Sequence, residues 1–285
     1  MATGSQYLAD LPNYSEEQKT HIRYAFDLHG EVKALREETT EPEFRASLAT
    51  AMRAQSAARP DILFVGFRAN EQTKVDSIAA GFGLVATLVE SGLANVGIYS
   101  NFYSTPYELL FGKHALRSGA SYLLRKDKVT SVLTEIRNSL SRRWIIRNSV
   151  GANDAASWSA GTKIEIGSSW AGGGMFSAGV LLHEIGHYNG LVDVCSMPEC
   201  CGKFLRIEHF RPAFTTEQLE CERNEVHGPQ ASKGSGHFIG LKRAKLLATT
   251  QKNLTVWNAD SYRWYCSYFH KQEINAGAPT RIRSW

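Results

Sequence analysis

The chain has 285 residues, of which 43% are hydrophobic and 21% charged, and its formal net charge is +4. This is enough polypeptide for one large domain or two modest ones, and the balance excludes a disordered, highly charged chain. Its basic residues are scattered in short pairs such as Arg142–Arg143 and Lys242–Arg243, so no nucleic-acid partner is expected.

The opening MATGSQYLADLPNYSEEQ has no basic region followed by an apolar run. No secretory leader is expected there, which leaves a cytosolic chain or export by a non-classical or dedicated route. Residues 14–39 read as a helix, with Ile22, Ala25, Phe26, Val32 and Leu35 recurring on one side. A second helix is expected from Glu41, with Thr40 as cap and Pro42 in the first turn, where no N–H is needed. Residues 1–60 carry no chemical motif and are read as an N-terminal helical extension, suited to a delivery or inhibitor partner.

The run DILFVGF then predicts a strand or a buried connector, and residues 71–92 a helix. No run reaches the roughly 18 consecutive apolar residues of a membrane span, so none is expected. A solvated aromatic stretch is expected around Tyr103, Tyr107 and Phe111. Over residues 127–142, Val129, Val132, Leu133, Ile136 and Leu140 share one face of an amphipathic helix. Strands are expected from Trp144 and in GTKIEIGSS, where Ile164 and Ile166 alternate with polar neighbours. Gly172, Gly173 and Gly174 make a loop, and a helix runs from about Ser177 to Tyr188. An irregular stretch to about Gly236 precedes two closing helices, near residues 237–251 and 258–271. The fold class read from these elements is α+β, mainly helical with a small sheet. Five cysteines leave at least one unpaired in a monomer, and without a paired CxxC pattern no second, structural zinc is expected.

The informative segment is AGVLLHEIGHYNGLVD, residues 178–193. His183 and His187 are four apart, which puts both imidazoles on one helix face, one turn apart. Neutral imidazoles so placed can grip one Zn²⁺, and the Glu184 carboxylate beside them can take a proton from water as a general base. A plain amphipathic helix with two hydrogen-bonded histidines would not need the apolar approach, the carboxylate and the following turn together. A third ligand is required. Asp193, six residues past His187, is the first candidate because Gly190 can turn the chain out of the helix. Glu199, Glu208, Asp260, His209 and His227 are the others.

HExxH with an aspartate third ligand resembles the aspzincins, the deuterolysin and lysine-specific metalloendopeptidase family of zincins. A second match is NADSY at residues 258–262, followed by Trp264, Tyr265 and Tyr268; GHFIGLKRAKLLA and YELLFGKH are further similar segments, over roughly residues 70–270. The resemblance implies a zincin-like catalytic domain over 61–285, zinc held by His183 and His187, Glu184 as base, and a polypeptide substrate. It also implies that Asp260 lines the primed-side pocket. The family usually sets its ligand aspartate nine residues after the second histidine, where this chain has Ser196; the HExxHxxGxxD spacing of Asp193 is similar to that of the snapalysins. Arg263 stands where lysine-specific members often carry an acid. The chemistry expected is metal-assisted peptide hydrolysis, with the strand Lys163–Ile166 beside the cleft, either as an exposed edge for an extended substrate or as a plain core strand. Alternatives are a secreted toxin or effector, a binding protein with a structural or vestigial zinc site, and hydrolysis of peptidoglycan cross-links.

Overall fold

The structure, a computed structural model, describes residues 42, 45, 56, 59, 61–113, 120–149, 155–170, 172–193, 240–250 and 255–272. Of the expected N-terminal helices only Pro42 and Arg45 are described, and both are helical. The boundary expected at residue 60, and the cysteines other than Cys266, lie outside the described residues. Two compact units alternate along the chain: a sheet unit (Val32–Ala94, Val132–Gly190, Cys266–Trp285) and a helical unit (Met1–Glu31, Asn95–Ser131, Leu191–Tyr265).

The sheet unit is built on β1 (Ile62–Val65), β2 (Trp144–Asn148), β3 (Ala156–Ala160) and β4 (Lys163–Ile166), in the order β1-β2-β4-β3. β1 and β2 run parallel with Ile62 opposite Trp144; β2 and β4 run parallel with Ile146 opposite Ile164; β3 returns antiparallel to β4. Sequence and position agree. The run Trp144–Ile146 of β2 is buried as an inner parallel strand requires, the run Ile62–Phe64 of β1 is buried although β1 lies at the sheet edge, and β4 buries only Ile164 and Ile166. The strand order makes β4 an interior strand, so of the two readings of Lys163–Ile166 the core strand holds and the exposed edge is corrected: β3 occupies that edge. At the entry to β1 the Arg59 guanidinium bonds Asp61 and holds its carboxyl below the ordinary aspartate range.

Helix α1 (Gln72–Ala94) packs on α4 (Met175–Tyr188). Gly81 permits the approach, because a Cβ there would meet Leu181 Cδ1 at 2.8 Å. The helical stretch Ala69–Ala94 is long and apolar enough to cross a membrane by length and composition, interspersed glycines and hydroxyls notwithstanding. Here Val75, Ile78, Phe82, Val85, Leu88 and Val89 are buried core residues. Phe82 meets Trp144 at 5.8 Å and Trp144 meets Tyr188 at 5.2 Å, so one aromatic line joins α1, β2 and the end of α4.

In the helical unit, α2 (Pro106–Phe111) starts at a capping box between Thr105 and Glu108, with Pro106 in the first turn. That helix places Tyr107 and Phe111 one turn apart and buries both, against Tyr262 and Tyr265 at 5.1–6.0 Å. The expected solvated stretch is thus corrected for these two; Tyr103 is exposed. Helix α3 (Ala120–Ser139) begins earlier than its amphipathic stretch predicts, and its residues to Ser131 belong to this unit. Helix α5 (Leu241–Thr250) and helix α6 (Ala259–Ser267) as far as Tyr265 close the unit. A parallel bridge sets α6 in place: Val192 N–H donates to the Trp257 carbonyl at 2.8 Å and Ala259 N–H to the Val192 carbonyl at 3.0 Å. Cys266 is fully buried, and desolvation pushes its thiol up.

Candidate metal centre

Helix α4 carries the HExxH segment and is buried along almost its whole length, from Phe176 to Tyr188. It leaves the glycine loop at Gly174, whose φ of 101° suits glycine. Its far end is fixed by Asn189, whose side-chain amide donates to the Ile185 carbonyl at 2.8 Å and to Ser139 Oγ at 3.0 Å. Gly190 then turns the chain out with φ 84°, as its place after the motif predicts.

His183 and His187 project from successive turns. Their Nε2 atoms lie 3.1 Å apart, with ring planes at 88°. A tetrahedral ion with Zn–N bonds of about 2.05 Å would hold two nitrogens roughly 3.3 Å apart, so the pair is spaced for such an ion. Ligand atoms of His183, Glu184 and His187 all lie within 4.8 Å of one another. Among the described residues they form a metal-compatible group, and imidazole with carboxylate suits zinc. His183 and Glu184 are buried, His187 half-buried.

Glu184 is not left to rotate. Its Oε2 accepts the Trp158 backbone N–H at 2.7 Å, from β3. The Trp158 indole stacks beside His187, with centroids 6.3 Å apart and planes at 29°. Neither Trp158 nor β3 is expected from the sequence. The nearest signal is the turn at Gly161, with φ 52°, which marks a hairpin leading into β4.

The other candidates are placed differently. Asp193 follows the Val192 bridge, in the unit that resumes at Leu191, and its Oδ1 is buried. Asp260 lies in the first turn of α6, fully buried; its carboxylate accepts the Gly240 N–H and faces Arg263 Nη1 at 3.6 Å. Glu199, Glu208, His209 and His227 lie outside the described residues.

No protein-family model and no curated protein matches the chain. Among solved structures the chain is similar to a zinc peptidase from Grifola frondosa, at 17% sequence identity and a TM-score of 0.45, over 72% of this chain and 98% of that one.

Proposed function

We propose that the chain is a zinc-dependent endopeptidase of aspzincin type. The observation that carries this reading is the convergence of His183 Nε2 and His187 Nε2 with Glu184 between them in sequence. His183 and His187 would hold the ion, with Asp193 as third ligand, leaving one position open as a catalytic site needs. When bound, zinc supplies Lewis-acid polarisation of the scissile carbonyl and lowers the pKa of water. Glu184 accepts the proton of the attacking water and passes it to the departing amine. Asp260 is the proposed contact for a basic side chain just after the cleaved bond; its present partners, Gly240 N–H and Arg263, would share the carboxylate with it.

The test combines metal content with cleavage-site mapping on a mixed peptide library. Glu184→Gln keeps the shape and removes the proton acceptor, so zinc should be retained while hydrolysis falls by at least ~10²-fold. Near-parent turnover removes Glu184 from the mechanism. Asp193→Ala should weaken zinc as strongly as His187→Ala does, with the helical circular dichroism unchanged. Parent-like zinc affinity in Asp193→Ala moves the third ligand elsewhere in the chain.

A further inference from the structure

Strand β3 lies on the sheet edge, and its alternate backbone groups point in opposite directions. The Ala155 carbonyl turns toward β4, accepting from Gly167 N–H at 3.2 Å. Trp158 sits in the opposite phase, and its N–H leaves the sheet to reach Glu184 Oε2 at 2.7 Å. The same residue's indole lies beside His187 in an offset stack, with centroids 6.3 Å apart and planes at 29°. Its own orientation is locked as well, since Nε1–H donates to the Gly161 carbonyl at 2.7 Å, in the β3–β4 turn. One residue therefore touches two members of the metal-compatible group by two different means.

We infer that Trp158 is a positioning residue of the metal centre. Its backbone aims the Glu184 carboxylate, and its ring, stacked beside His187, holds the imidazole in the plane that directs Nε2 toward His183. This rests on the zinc-peptidase reading above. The two roles separate on substitution. A side-chain change leaves the backbone N–H in place, so Glu184 stays aimed while His187 loosens. Trp158→Ala should therefore lose zinc affinity. Outer contacts to metal-ligating histidines are commonly worth about 10–100-fold in affinity. Trp158→Phe retains a ring to stack and should stay within about threefold of the parent in affinity, outside that range.

The experiment is zinc affinity by chelator competition for the full-length parent, Trp158→Ala and Trp158→Phe. A cobalt titration followed by tryptophan fluorescence runs beside it. The expected result is a drop in zinc affinity of about tenfold or more for Trp158→Ala and near-parent affinity for Trp158→Phe. Cobalt should quench the parent's fluorescence, and Trp158→Phe should bind cobalt while losing most of that quench, a readout that stands even if Trp158→Ala does not fold. A parent that binds neither metal overturns the zinc reading and this inference with it. A parent that binds, with Trp158→Ala equally tight or Trp158→Phe retaining the full quench, overturns this inference alone. So does an equal loss of affinity in both variants, since the ring would then not be what holds His187.

Discussion

Asp260 has no exposed surface, yet it carries a carboxylate that meets the Gly240 N–H and the Arg263 guanidinium. Removing one partner of a buried charged pair typically costs about 3 kcal/mol or more, because the other charge keeps its desolvation penalty. Asp260→Ala should show a loss of that order in the urea midpoint. Asp260→Asn keeps an acceptor for Gly240 N–H and should lose clearly less. If a basic preference after the cleaved bond vanishes in Asp260→Asn while stability is largely kept, the residue acts on substrate as well. A stability change within ~0.5 kcal/mol for Asp260→Ala, the range of ordinary surface substitutions, would count against this account of its burial. The sequence marks Asp260 only as a polar residue in a helix's first turn. That it is buried depends on Gly240, twenty residues earlier in the chain, and no local pattern carries such a contact.

Helix α4 is the element on which the site depends, and its last turn holds His187. Asn189 pins that turn by spanning the Ile185 carbonyl and Ser139 Oγ. Asn189→Ala deletes two buried hydrogen bonds, each worth about 1 kcal/mol net, and leaves their acceptors to find new partners. The expected outcome is a loss of about 2 kcal/mol with weakened zinc binding, read from urea unfolding and chelator competition on the same samples. Unchanged stability would mean that α4 ends firmly without this side chain. Much of the element was legible beforehand. The apolar approach Val180–Leu182, the histidine spacing and Gly190 gave the helix, its shared face and its exit turn. β4 was legible from Ile164 and Ile166, although its interior place was not, because that depends on which strand flanks it. The strand that does so, ASWSA, shows no apolar alternation, since its pairing with β4 and its contact with α4 decide its conformation. Tyr107 and Phe111 were misread for a similar reason: the capping box at Thr105 turns a loop-like stretch into one helical turn with a buried face. Trp158 was out of reach of local reading, since its N–H meets a carboxylate 26 positions later.

For the molecule as a whole, an ion that binds the folded chain and not the unfolded one must raise its stability. Zinc at 100 times its dissociation constant contributes about 2.7 kcal/mol. For a chain of this size that corresponds to a shift of roughly 5–10 °C in melting temperature. Chelation should lower the melting temperature by about that much, and zinc should restore it. Calorimetry with and without a chelator reads the shift; equal melting temperatures would indicate that no ion of consequence is bound. The alternation of the units has a further effect. Each is assembled from three separate stretches, so the chain changes unit five times, after Glu31, Ala94, Ser131, Gly190 and Tyr265. No single cut of the gene isolates the coding sequence of either unit. Separating them would take a cut at all five of those crossings.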